Sequence, residues 1–153
     1  MRVKPYKKVA VGGSFDVLHR GHRALLDKAF DVSEYVLIGL ASNKMAGKDA
    51  AAYEKRKEDL EDFLEHEGQY HIVELNDPLG DAVRDREIDA IVVSEETVPR
   101  ALEINELRKR EGLGVLEILS VPLVLAEDGR PISSTGIKRG EIDREGRVLS
   151  ERK

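Results

Sequence analysis

Five short runs of β-branched and other apolar residues alternate with amphipathic helical stretches along this chain, and that alternation confines it to very few folds. The runs are Val9–Val11, Tyr35–Leu40, Tyr70–Leu75, Ile88–Val93 and Val115–Leu119. Helical patterns over His22–Phe30, Tyr53–His66, Leu79–Arg86 and Pro99–Arg110 separate them. Strands joined through helices make βαβ units, whose crossovers hold the strands parallel. The expected architecture is α/β: a doubly wound, Rossmann-like, parallel five-stranded sheet with helices on both faces. The chain's 153 residues suit a single domain spanning 1–153. Within it, roughly 141–153 reads as a charged C-terminal tail or hairpin.

Ligands of such folds sit at the carboxyl ends of the strands, near the switch in strand order. The first strand ends there in Gly12-Gly13-Ser14-Phe15-Asp16-Val17-Leu18-His19-Arg20-Gly21-His22 and then enters a helix. Glycines let a ligand approach the backbone, and a helix start offers free N–H donors and a partial positive charge. His19 and His22 share one face of a helical turn at that spacing. A polyphosphate site fits this strand–turn–helix context. Zinc ligation by the two histidines lacks an evident third ligand, and His66 and His71 flank a turn-like Glu67-Gly68-Gln69 at the surface. Ser14, His22 and Asp16 have the composition of a hydrolytic triad but stand too close in sequence for its usual geometry.

A second anion-binding constellation is Pro131-Ile132-Ser133-Ser134-Thr135-Gly136-Ile137-Lys138-Arg139-Gly140. Ser133 or Ser134 suits an N-cap, and Lys138 and Arg139 add positive charge one turn later. An ordinary capped helix explains the serines alone equally well. Ser42–Asp49, polar and carrying Lys44 and Lys48, reads either as a mobile loop over the site or as a solvated connector. A Walker A loop is excluded, because Asp49 follows Gly47-Lys48 and Ser42 stands in place of the first glycine. No G-x-G-x-x-G follows a strand, and Gly12–Asp16 lacks the second glycine of a hydrolase elbow.

Composition narrows the partners. The formal net charge of −5 argues against broad nucleic-acid binding, so an anion site has to be a local basic pocket. The absence of cysteine excludes disulfides, thiolate zinc sites and a cysteine nucleophile, and with 36% charged residues it hints at heat adaptation. No apolar run approaches the roughly 18 residues that cross a bilayer, and the N-terminus has no signal-peptide core. The expectation is a cytoplasmic protein with no membrane partner. Oligomeric state is not legible.

His19-Arg20-Gly21-His22, preceded by Gly13-Ser14-Phe15-Asp16 and followed near the other end by Ile132-Ser133-Ser134-Thr135, resembles the nucleotidyltransferase superfamily marked by H-x-G-H and I-S-S-T signatures. Within it the chain is most similar to the archaeal phosphopantetheine adenylyltransferases. The matching stretches are Gly12–His22, Val93–Thr97, Ala126–Gly129 and Gly140–Asp143 with Gly146. The resemblance implies transfer of AMP from ATP to 4′-phosphopantetheine, giving dephospho-coenzyme A and pyrophosphate, with Mg2+ bound through the ATP phosphates and no protein metal site. It implies His19, His22 and Lys44 as catalytic residues: the histidines donate to the α- and β-phosphates and Lys44 neutralises developing charge. Gly13, Ser14, Phe15, Gly21, Ser133, Ser134, Thr135 and Lys138 are then phosphate-binding, with Ser14 and Lys44 also facing the acceptor. Ser94, Glu95 and Thr97 fall in the adenine and ribose region. The bacterial enzymes carry R-G-x-R where this chain has Ser94-Glu95-Glu96, so an anionic acceptor needs other cations, with Lys44, Lys48, Arg56, Arg100 and Arg108 as candidates. Cytidylyl-, nicotinamide-mononucleotide and flavin adenylyl transfer use the same histidine motif, and a nucleotide sensor without catalysis is the alternative of another class.

Overall fold

The computed structural model describes residues 3–150. Met1 and Arg2, and the last three residues of the 141–153 segment, lie outside the described residues. Strand β1 (Tyr6–Gly13) leads through helix α1 (Arg20–Val32) into β2 (Ser33–Ala41). A one-turn helix α2 (Asn43–Ala46) and α3 (Tyr53–Phe63) precede β3 (Gln69–Leu75). Strand β4 (Ala90–Ser94), helix α4 (Val98–Arg110), β5 (Glu117–Val121) and the short α5 (Ser134–Lys138) follow. The five strands are parallel, in the order β3-β2-β1-β4-β5. The order reverses at β1, which pairs β2 on one side and β4 on the other, so the ligand crevice of a doubly wound sheet opens at the ends of β1 and β4.

Side-chain alternation divides each central strand between two apolar layers. Val9, Val11, Val36, Ile38, Leu40, Ala90 and Val92 face one way and pack with Leu26, Ala29 and Phe30 of α1 and Leu60 of α3. Ala10, Leu37, Ile91 and Val93 face the other way, onto Ala101 and Ile104 of α4. Both faces are covered, as a buried parallel sheet requires. A third small core of Ala126, Ile132 and Ile142 closes the C-terminal part of the chain.

The five runs all become strands, with edges moved by specific bonds. β1 extends back to Tyr6 because Tyr6 and Lys8 pair with Ser33 and Tyr35 of β2, a ladder that polar residues conceal in the sequence. β5 starts two residues late because the Asn105 side chain bonds both the N–H and the C=O of Leu116. The helix expected over Leu79–Arg86 is only a 3-10 turn, Gly80–Val83. There Asp77 accepts from the N–H groups of Leu79 and Gly80 and Asp85 accepts from that of Glu87, so side chains take bonds a helix would make. The Ser42–Asp49 segment holds α2, capped by the Ser42 hydroxyl on the Met45 N–H. The described part of the charged C-terminal segment is a hairpin and not a tail: Ile142 bridges Val148 around a turn at Asp143–Gly146, and Ile142 is only 1% exposed.

Candidate active site

The chain reverses sharply after β1 at Phe15, a non-glycine residue with a φ of 45° and a buried ring. A side chain held in the left-handed region is strained, and packing fixes it here. The Phe15 ring lies 5.3 Å from that of His22, so the turn residue also seats the second histidine. Behind the turn, buried Arg56 of α3 donates to the carbonyl oxygens of Ser14, Ala41 and Ala51. It ties the ends of β1 and β2 to the start of α3.

His19 and His22 cap α1 reciprocally. The Gly21 N–H donates to His19 Nδ1 at 3.0 Å, and the His19 N–H donates to His22 Nδ1 at 3.2 Å. This is the capping-box pattern with imidazoles in place of a hydroxyl and a carboxylate. Because each Nδ1 is an acceptor, each ring carries its proton on Nε2. The rings stack with centroids 4.0 Å apart. Burial, with the Arg144 charge beside it, lowers the His19 pKa to about 4. Burial and then the neighbouring His19 lower that of His22 to about 3, against a small opposing pull from Asp16. At neutral pH the site therefore presents two uncharged Nε2–H donors side by side. Gly21 is where it is because a Cβ there would stand 2.7 Å from His19 Cε1.

Three openings meet at this turn. The first is a mainly apolar cleft of about 770 Å³, counting space open to solvent, which runs from Gly12, Gly13 and Ser14 past Met45 and Leu75 to Thr97 and Arg100. The second is a pocket that shares Gly12 and Gly13 with the cleft. It brings together Phe15, His19, Gly21, His22, Ser94 and Glu96 under a wall formed by Val121–Val124 and Ile132. The third is a charged groove that shares His19 with that pocket and continues past Arg20, Arg23 and Arg144.

The second motif reaches the same place. Ser133 caps α5 on the Gly136 N–H, and Ser134 donates to the Val17 carbonyl, docking α5 against the β1 loop. Thr135 is exposed. Lys138 Nζ pairs with Asp16 and donates to the Asp49 carbonyl at 2.8 Å. Asp16 also accepts from the Ala51 N–H, and although burial raises its pKa, the Lys138 and Ala51 bonds and the Arg56 charge leave it lowered. Lys44 is exposed on α2. Ser94 lines the histidine pocket and Thr97 the apolar cleft, whereas Glu95 accepts from the Leu123 N–H and orders the wall from behind.

Two candidate acceptor cations are corrected. Arg56 and Arg108 are buried; Arg108 donates to the carbonyls of Gly114, Ala82 and Asp85, so neither is free to meet a ligand. Arg100 borders the cleft. Missing from the sequence reading were the Val121–Val124 wall and Arg144, whereas Glu96 lies in the Ser94–Thr97 segment expected to face the nucleoside. The wall could have been found from the apolar Val121-Pro122-Leu123-Val124 run just past the fifth strand. Among the described residues no cluster of three or more His, Asp or Glu could hold a metal, and no helix is long and apolar enough to cross a membrane.

The profile of the family described as cytidylyltransferase-like matches residues 10–140. The phosphopantetheine adenylyltransferase of Methanothermobacter thermautotrophicus is 46% identical, over 95% of this chain and 92% of its own. That of Thermococcus gammatolerans is 46% identical, over 97% of this chain and 98% of its own. A solved structure from Archaeoglobus fulgidus, of a protein with unknown function, superposes with a TM-score of 0.68 at 31% identity, covering 74% of this chain and 88% of the other.

Proposed function

Because the chain belongs to the cytidylyltransferase-like family and, within it, to the phosphopantetheine adenylyltransferases, we propose that it transfers AMP from ATP to 4′-phosphopantetheine in coenzyme A synthesis. The observation that carries the reading is the pair of neutral Nε2–H donors lining a pocket that adjoins a largely apolar cleft at Gly12 and Gly13. The cleft suits the slender, uncharged pantetheine arm, with its phosphate at Ser14 and its far end toward Pro78 and Leu79. The pocket suits a nucleoside against the Val121–Val124 wall.

The reaction joins an acceptor phosphate oxygen to the α-phosphorus as the bond to the bridging oxygen breaks, and the electron pair leaves with pyrophosphate. The nucleophile is already an anion, so no base has to remove a proton. Neither histidine is built to be one, since each Nδ1 already accepts an N–H and each Nε2 bears the proton. They act as preorganised donors to the α- and β-phosphate oxygens, where charge grows in the transition state. Gly13 and the backbone of Ser14 and Phe15 let phosphate approach closely, while Thr135 and Lys138 approach the outer phosphates from α5. For Lys138 this means exchanging Asp16 for phosphate. Lys44 joins if α2 swings toward the acceptor. Magnesium fits as a complex riding on the triphosphate, because Asp16, the carboxylate at the turn, is already held by Lys138 and the Ala51 N–H. There it would neutralise phosphate charge.

The test is pyrophosphate release from ATP and magnesium with and without 4′-phosphopantetheine. Release that requires phosphopantetheine, with dephospho-coenzyme A formed, is expected. Release with a different phosphorylated acceptor instead would keep the chemistry and replace the substrate, and ATP binding without release would favour a sensor.

A further inference from the structure

The cations of the charged groove beside His19 are not used by the reading above. They are Arg20, Arg23, Lys55 and Arg144, and the acids of the groove are Asp16, Asp59, Asp62 and Glu145. Most of these charges are already engaged. Lys55 pairs with Asp59, Asp16 with Lys138, and Arg23 with Asp27 and Glu67 while stacking on Phe63. Arg20 donates to the Glu145 carbonyl. The Arg144 guanidinium makes no hydrogen bond or ion pair with any described residue, while the backbone that carries it is pinned. The Arg20 N–H bonds the Arg144 carbonyl at 3.3 Å, and the turn closes by bonds from the Gly146 and Arg147 N–H groups to Asp143. The hairpin is thus docked by its backbone on the first turn of α1, with an unpaired cation over the groove. Arg144 is the groove charge whose field reaches the His19 ring.

The order of the openings gives this cation a task. The apolar cleft meets the nucleotide pocket at Gly12 and Gly13, and that pocket meets the groove at His19. An in-line displacement needs the acceptor and the leaving group on opposite sides of the α-phosphorus. With the acceptor in the cleft and His19 at the α- and β-phosphates, the outer phosphates point into the groove. Resting on the proposed adenylyl transfer, we infer that Arg144 grips the β- and γ-phosphates of ATP and holds them as the departing pyrophosphate. A guanidinium suits this because its planar fork binds phosphate oxygens in pairs.

Titration calorimetry with magnesium pyrophosphate and magnesium ATP reads the grip without turnover. R144Q is expected to weaken pyrophosphate about tenfold or more, the loss of a charge-assisted bond, with R144K recovering part of it. R147Q, on the same hairpin, is the control and should match the parent chain. The melting temperature of R144Q should stay put, since the side chain holds nothing in the fold. In turnover, KM for ATP rises and KM for phosphopantetheine does not. Pyrophosphate binding by R144Q within twofold of the parent chain overturns the inference. So does a parent chain that binds no pyrophosphate, or an R144Q melting temperature that falls along with binding and is not restored in R144K. A parent chain that binds ATP and pyrophosphate tightly, with R144Q impaired, but makes no dephospho-coenzyme A would refute the acceptor and leave the grip standing.

Discussion

Gly21→Ala separates folding from function, leaving the first nearly unchanged and impairing the second. A Cβ at position 21 would lie 2.7 Å from His19 Cε1 and 3.0 Å from Nδ1, where ordinary contact begins near 3.4 Å. The ring has to retreat by roughly 0.7 Å at least, a distance set by van der Waals radii. It cannot retreat toward His22, whose ring centroid is 4.0 Å away, so it swings toward the groove and gives up its 3.0 Å bond from the Gly21 N–H. For stability two effects nearly cancel: alanine gains up to about 1 kcal/mol of helix propensity, and the lost cap costs about 1 kcal/mol. The melting temperature should move by no more than about 4 °C for a chain this size. Catalysis has no such offset, because a donor displaced by about 1 Å loses on the order of 100-fold in rate. The checks are kcat by coupled pyrophosphate detection, melting by scanning calorimetry, and the His19 ring signals by 15N NMR. Near-normal kcat with a shifted His19 resonance would show that its position does not matter and would refute the assignment.

The remaining predictions concern the supports of the site. Arg56→Met removes a buried guanidinium that bonds three backbone carbonyls, the Ala41 one fully buried, and should cost roughly 3–5 kcal/mol, seen as a fall in the chemical-denaturation midpoint. His22→Gln keeps a capping-box acceptor at the third helical position and should fold while losing about 100-fold or more in kcat. It should also be less acid-sensitive. The unfolded His22 binds a proton below about pH 6.5, whereas the folded one resists until about pH 3, so folded stability drains as pH falls from 6.5 toward 3. By pH 5 that amounts to roughly 2 kcal/mol, measurable as the difference between the two stability–pH curves. Gly146→Ala places a Cβ 2.9 Å from Ile132 Cδ1 at a φ of 87°. Loosening the hairpin in this way should raise KM for ATP and lower the melting temperature, read by steady-state kinetics and scanning calorimetry.

What the sequence disclosed and what it hid follow one physical line. Strands buried on both faces must be apolar at successive positions, so Val36–Leu40 and Ile91–Val93 announced themselves. The glycine pair and the two histidines were legible because chemistry and turn geometry both demand those residue types. Arg56 and Arg108 were misjudged because an arginine on a helix has the same sequence pattern whether its guanidinium meets solvent or carbonyls left over by loops. Arg144 was missed for a related reason. Its turn, Asp143 to Gly146 between Ile142 and Val148, was a readable hairpin signal. That the turn docks beside residues 19 and 20 depends on a pairing more than 120 positions apart in the chain, and no local pattern encodes it.

The reciprocal histidine cap explains why one short motif can serve both folding and chemistry. An ordinary capping box satisfies two helix-end N–H groups with side chains that then have little left to offer. Imidazole differs in having a second nitrogen on the opposite edge of the ring. Accepting at Nδ1 fixes the proton on Nε2, so the bond that ends the helix also sets the tautomer that faces the ligand. Burial keeps both rings uncharged, which lets them stack 4.0 Å apart without repulsion before any phosphate arrives. A lysine or arginine at either position would add charge but could not accept the cap bond, and a glutamine would accept it but leave no donor so rigidly aimed. If the histidines act as proposed, substitutions in the motif should therefore change stability far less than rate. The single residue between the histidines that must be glycine is the one whose Cβ would push the first ring out of line.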